Sequence, residues 1–217
     1  MTAPIPARPG IVGRYRSRQS GHPHGVVGRV FGRAMVKDTA AANDRAIELL
    51  HLTTPQTVLD VGFGQGRTAA LLLARGHRVL GVDPSPTMVR QASARNRTAC
   101  RAGRADLRLG DGTSIPFPDH TADAAITVHT IYFMADPAAS LAEIARVLRP
   151  DGVLVVACRT SDDGIPAWFD PDVYTVRAAG EITDLLHTAG FTRIAHTSDP
   201  GPAPHAHHFT ARRSRVA

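Results

Sequence analysis

The densest chemistry in the chain is the run Asp60-Val61-Gly62-Phe63-Gly64-Gln65-Gly66, followed by Asp83 at the end of the apolar stretch Val79-Leu80-Gly81-Val82. Glycine lets a backbone turn sharply and approach a ligand with no Cβ in the way. A helix opening at Arg67 offers unpaired N–H groups to a carboxylate or phosphate. A single acid one strand later suits a pair of ribose hydroxyls. The β-branched run, the G-x-G-x-G turn, the apolar helix Thr68–Ala74, the stop at Gly76 and the second strand describe one βαβ unit. Together these residues predict a nucleoside-cofactor site. Glycine-rich turns join strand to helix in many α/β proteins, so the loop by itself names no ligand.

The elements that must position these residues alternate along the rest of the chain. A helix is expected from Thr39 to Leu50, with Ala42, Ala46, Leu49 and Leu50 on its apolar face. Pro84 to Ala94 reads as helix, and Asp106 to Leu109 and Ala124 to Val128 read as strands. Asp136-Pro137 supplies an N-cap and a first-turn proline, Leu141, Ile144, Ala145 and Leu148 form a buried face, and Arg149-Pro150-Asp151-Gly152 ends that helix. Val153 to Cys158 is wholly apolar, as in the middle of a parallel sheet covered on both faces. Residues 159–180 lack periodicity. Glu181 to Ala189 is the last helix, and Phe191 to Thr197 and His208 to Arg212 complete the sheet. This order specifies a doubly wound sheet whose ligand lies across the carboxyl ends of the strands. Gly62, Gly64, Asp83, Asp111 and His129 all sit at such ends.

The dinucleotide fingerprint G-x-G-x-x-G places its third glycine where this chain has Arg67. The spacing found instead, with Asp83, resembles motif I and its following acid in class I S-adenosylmethionine-dependent methyltransferases of the small-molecule type. The likeness runs from about Ala41 to Arg213. It implies an α/β fold, a doubly wound, Rossmann-like and mostly parallel seven-stranded sheet with an antiparallel last strand and an N-terminal helical appendage. It also implies S-adenosyl-L-methionine as cofactor and S-adenosyl-L-homocysteine as product. Asp60, Gly62, Phe63 and Gly64 would border the methionine part, and Asp83 would hold both ribose hydroxyls. Asp111 and Gly112 in Leu109-Gly110-Asp111-Gly112 would lie near the adenine amine, with Pro84 or Met88 against the purine. Arg149-Pro150-Asp151-Gly152 resembles the family's R-P-G-G turn, with Asp151 replacing a glycine.

His129 ends the fourth strand, where the family places its reacting methyl group and related small-molecule enzymes with a T-I-Y-F segment carry asparagine. Two readings of it stand: a general base that takes the acceptor's proton, or a residue that lines the cofactor site through its carbonyl. Tyr132 is the second catalytic candidate and, with Phe133, either shapes the acceptor pocket or fills the core. Asp83 and Asp111 have an alternative as caps of strand–helix turns, Asp60 as an organiser of the glycine loop, and Met88 as core.

The 217 residues suit one domain, and the net charge of +6 is unevenly placed. Residues 1–37 hold Arg8, Arg14, Arg16, Arg18, Arg29, Arg33 and Lys37 and no acid, and the tail adds Arg212, Arg213 and Arg215. The body between them is acidic, 15 basic residues against 19 acidic. The expected division is a basic arm with a short helix over residues 1–37, a lid candidate, and a methyltransferase domain over 38–217. The arm suits an anionic acceptor; docking of RNA or a peptide is the alternative, and a homodimer is open. Cys100 and Cys158 have neither disulfide nor metal-ligand spacing, and no run is long enough for a membrane span, so a cytoplasmic protein is expected. His22 and His24, and His205, His207 and His208, are expected in exposed turns without a metal. The expected reaction is O- or N-methylation of a small molecule. A further alternative is a cofactor-binding protein that transfers no methyl group.

Overall fold

The computed structural model describes residues 9–10, 13–15, 17, 39–53, 55–199 and 206–215. After a helix α1 (Ala40–Leu49), strands and helices alternate as β1 (Thr57–Val61), α2 (Arg67–Ala74), β2 (Arg78–Asp83), α3 (Pro86–Arg95), α4 (Arg97–Arg101) and β3 (Ala105–Leu109). They continue as β4 (Ala122–Val128), a 3-10 turn at Ile131–Phe133, α5 (Pro137–Val147), β5 (Leu148–Cys158), α6 (Ala179–Thr188), β6 (Phe191–Ser198) and β7 (His207–Arg213). The strands form one seven-stranded sheet in the order β3-β2-β1-β4-β5-β7-β6, in which β7 runs antiparallel to both its neighbours. The expected mostly parallel, doubly wound sheet is what forms.

Alternation along the strands sorts the core into two layers. Val58, Val79 and Ala124 face α1 and α2, where Ala46, Ile47, Leu50, Ala69 and Leu72 cover them. Leu59, Leu80 and Ala125 face the other way, onto Leu141 and Ile144 of α5 and Ile182 and Leu186 of α6. A sheet covered on both sides needs apolar residues on both, and this is why the Val153–Cys158 part of β5 reads as an unbroken apolar run. Strand order reverses between β1, which pairs with β2, and β4 on its other side. The turns leaving β1 and β4 touch at Gly62 and Thr130, and it is at such a reversal of strand order that an open α/β sheet has its ligand crevice, at the carboxyl edge.

Several boundaries differ from the sequence reading for local reasons. The expected helix from Pro84 starts at Pro86, because Ser85 is its N-cap and its hydroxyl accepts from the Met88 N–H. A short helix, Arg97–Arg101, had no periodicity to announce it and follows a break at Asn96. The turn Arg149-Pro150-Asp151-Gly152 belongs to β5, since Leu148 already pairs with Ala122. His207 and His208 are not in an exposed turn: both are buried at the start of β7. The His207 ring bonds to Asp163 at 2.6 Å and to His196 at 2.8 Å, and His208 Nε2 lies 3.3 Å from the Ala42 carbonyl. These partners satisfy groups that burial would otherwise penalise. His22, His24, His205 and the helix expected over Val26–Lys37 lie outside the described residues. No helix among the described residues is long and apolar enough to cross a membrane.

The long connection from β3 to β4 is held by one side chain. Arg146 on α5 donates to the carbonyls of Ile115 (2.8 Å) and Phe117 (3.0 Å) and to the carboxylates of Asp119 (2.6 Å) and Glu143 (2.7 Å). Glu143 in turn accepts from the Ile115 N–H. Arg146→Met keeps the aliphatic stem and strands both carbonyls, so it should destabilise the protein by about 2 kcal/mol, read as a lower urea midpoint. An unchanged midpoint would show that the loop holds itself.

Candidate active site

The glycine loop is shaped by contacts that each need a missing Cβ. Gly62, Gly64 and Gly66 all have positive φ, at 76°, 54° and 72°. A Cβ on Gly62 would lie 2.2 Å from Thr130 Oγ1, and one on Gly66 would meet Ala92 and Asn96 at 2.8 Å. Gly64 differs: nothing lies within 4 Å of where its Cβ would point, so its open side faces the crevice. Phe63 turns its ring down onto Gly81, which makes it a packing residue of the loop and leaves its backbone for any ligand.

Asp83 closes the loop from the neighbouring strand. Its Oδ2 accepts from the Gly64 N–H and its Oδ1 from the Ser85 N–H, both at 2.9 Å. A carboxylate oxygen can accept more than one hydrogen bond, the chemistry that a pair of hydroxyls needs. Asp60 is more constrained. It is buried, and its Oδ2 has no hydrogen-bond partner among the described residues. Burial, with the Asp83 charge adding, pushes its carboxyl up to about 8. An orphaned, buried carboxyl beside an open glycine is a place for a cation. The opening of α2 is fixed from α1, by a two-pronged Arg67–Asp44 pair (2.9 and 3.1 Å) and by Thr68 donating to Asn43 at 2.6 Å.

The other expected residues divide. Pro84 is exposed at the rim, Met88 is buried under α3 and acts as core, and Gly112 is buried with φ 90° against Ser140 and Val61. Asp111 is exposed and folds its own turn, its Oδ1 accepting from Thr113 N (2.9 Å) and Thr113 Oγ1 (2.8 Å). These bonds hold its carboxyl below the usual range and leave Oδ2 outward.

Across the crevice, His129 follows β4 with φ 55°, its N–H donating to the Ala157 carbonyl at 2.7 Å. Its Nδ1 is 2.9 Å from the Tyr132 hydroxyl, and that hydroxyl also accepts from the Arg159 N–H. Burial, then the Arg159 cation and the charge that His208 carries when protonated, push the His129 ring down to about 4. Tyr132 begins an aromatic wall: its ring lies 5.6 Å from that of Tyr174, Phe133 lies 4.8 Å from Tyr174, and Phe169 stacks on Tyr174 at 3.9 Å. The aperiodic segment 159–180 supplies Phe169 and Tyr174 to this wall. Ser17, fully buried, donates to the Trp168 carbonyl at 2.7 Å and accepts from the Asp170 N–H at 3.0 Å, so part of the basic arm is pinned there.

Sequence reasoning missed Thr130, Ser85, Asn96 and Arg159. Ser85-Pro86 carried a readable cap signature; the other three act through contacts that no local pattern encodes. Among the described residues no group of three or more His, Cys, Asp or Glu is placed to hold a metal ion.

Comparison with known proteins agrees with this geometry. Residues 59–156 match the model of a methyltransferase domain. A probable S-adenosylmethionine-dependent methyltransferase of Mycolicibacterium smegmatis is 33% identical over 146 residues, 66% of this chain and 54% of that protein. An O-methyltransferase of Pyrenophora dematioidea is 31% identical over 166 residues, 70% of this chain and 61% of that protein. The chain thus spans little more than half the length of these relatives. Among solved structures, the Haloferax volcanii complex between the Trm112 methyltransferase activator and a putative methyltransferase superposes with a TM-score of 0.74 at 21% identity, covering 93% of this chain and 98% of the matched one. Residues 59–156 thus carry a methyltransferase domain, and the strand order and glycine loop around it resemble those of the class I S-adenosylmethionine-dependent methyltransferases.

Proposed function

We propose that the protein binds S-adenosylmethionine in the crevice between the β1 and β4 loops and methylates a small-molecule acceptor, at oxygen or nitrogen. The observation that carries this is the buried Asp60 carboxyl with an unpartnered Oδ2 beside the open face of Gly64. A cationic methionine portion satisfies both, the Asp83 carboxylate accepts from the ribose hydroxyls, and Pro84 and the Asp111 turn border the base. When bound, the cofactor supplies a methyl group activated by a sulfonium. The chain's own part is to align the acceptor and keep water out, and the aromatic wall of Tyr132, Phe133, Phe169 and Tyr174 suits that task. The segment 1–37, pinned through Ser17, serves as a lid over the acceptor, and its bases favour an anionic one. The O-methyltransferase relative supports oxygen as the accepting atom.

Asp83→Ala should weaken S-adenosylhomocysteine binding roughly 100-fold by calorimetry, through loss of the charge-assisted pair; an unchanged Kd rejects the ribose role. Removing residues 1–37 should leave that Kd intact, and a large loss would assign the arm to the cofactor. Asp60 gives a pH signature. With its pKa near 8, about nine molecules in ten are protonated at pH 7, and a cation beside it favours the carboxylate. Binding of S-adenosylmethionine should therefore release protons at pH 7 and tighten from pH 6 to 7.5, and Asp60→Asn should abolish both. The same raised pKa makes the unfolded state lose its proton first, so stability without cofactor falls as pH climbs from about 4 to 8. Affinity that is flat with pH would remove Asp60 from the cation site.

A further inference from the structure

We propose that Tyr132 locks His129 as the tautomer with its proton on Nε2, so that His129 orients the acceptor as a hydrogen-bond donor and removes no proton from it. The inference rests on the methyl-transfer reading above. Its basis is a directional chain of three groups. The Arg159 backbone N–H can only donate, so the Tyr132 oxygen accepts there. Tyr132 is 3% exposed, and its phenol keeps its proton because burial pushes its ionisation well above the ordinary value. That proton needs an acceptor, and among the described residues the one within reach is His129 Nδ1, 2.9 Å away. A proton on Nδ1 would point at the phenol oxygen and leave the buried O–H with nowhere to donate, which is costlier than the bond it replaces. Nδ1 therefore accepts and Nε2 carries the hydrogen.

The rest of the surroundings agree. Arg159 after β5 and His208 on β7 both oppose a charge on the ring, and Tyr132 on the 3-10 turn stays neutral. The residue is held at φ 55°, outside the usual range for histidine, by its bond to the Ala157 carbonyl. Nε2 has no partner among the described residues and is not among the sealed polar atoms, which leaves it open to a ligand. A neutral ring donating from Nε2 cannot take a proton at that atom. The matching acceptor is an oxygen nucleophile that arrives ionised, such as a carboxylate or an acidic phenol. Its lone pair forms the O–CH3 bond as the C–S bond breaks with its electron pair left on sulfur, and no proton is released.

The test is long-range proton–nitrogen spectroscopy of the full chain labelled with 15N-histidine at pH 7, the His129 ring being assigned by its loss in His129→Gln. The expected result is a protonated Nε2 and a bare Nδ1 in the wild type, with tautomer exchange appearing in Tyr132→Phe. A proton on Nδ1, or a doubly protonated ring, overturns the proposal, and the wild-type spectrum decides this even if Tyr132→Phe does not fold. Turnover is then followed as S-adenosylhomocysteine formed from panels of carboxylic acids, acidic phenols and aliphatic alcohols. Methylation of the ionisable panels, reduced roughly 100-fold in His129→Ala and largely restored in His129→Gln, supports a donor. Methylation of un-ionised alcohols that His129→Gln abolishes would show a base and overturn it. No product from any panel, with the expected tautomer in place, would count against the methyl-transfer reading and leave the tautomer standing.

Discussion

The carboxylate of Asp83, held between the N–H groups of Gly64 and Ser85, is the junction on which the site depends. One side chain at the end of β2 thereby fixes the turn after β1 and the entry to α3. The other end of α3 returns to the same loop, where Asn96 donates to the Gly66 carbonyl at 3.3 Å. The glycine loop is bracketed by both ends of a neighbouring helix. A flexible sequence becomes a rigid cradle because its flexibility is consumed by contacts that only glycine can make. The electrostatic counterpart is Asp60 on the adjacent strand, left without a countercharge for Oδ2 in a position that a carboxylate tolerates only when protonated or paired.

The second half of the crevice is built on opposite principles. Where the β1 loop relies on absent side chains, the β4 loop relies on large ones. His129 and Tyr132 are tied by a hydrogen bond, and Tyr132 is braced by Phe169 and Tyr174 from a segment more than thirty residues later. That segment is itself stitched to Ser17, some 150 positions away in the chain. The β1 side is thus assembled from local βαβ contacts, and the β4 side from long-range ones, which matches the freedom of this fold to change its loops while its sheet is kept.

This difference decides what the sequence disclosed. Asp60, Gly62, Gly64 and Asp83 were legible because their spacing is set by one strand, one turn and the next strand. The strand order and the antiparallel β7 followed from the alternation and the family likeness. Phe169 and Tyr174 sat in a stretch with no period, and nothing local says that they meet Tyr132. The burial of His207 and His208 was missed for a related reason: a histidine pair before a strand looks polar until Asp163, His196 and Ala42 arrive from elsewhere to satisfy it. The start of α3 was misplaced by two residues because Pro84 drew the helix forward past its true cap at Ser85.

The close approach of Gly62 to Thr130 has a mechanical consequence. With no space for even a methyl group between them, the turn after β1 and the turn after β4 press on each other directly. A shift of one is transmitted to the other, and His129 sits one residue from the point of contact. The two turns therefore hold each other's shape, and neither can be redrawn without redrawing the other.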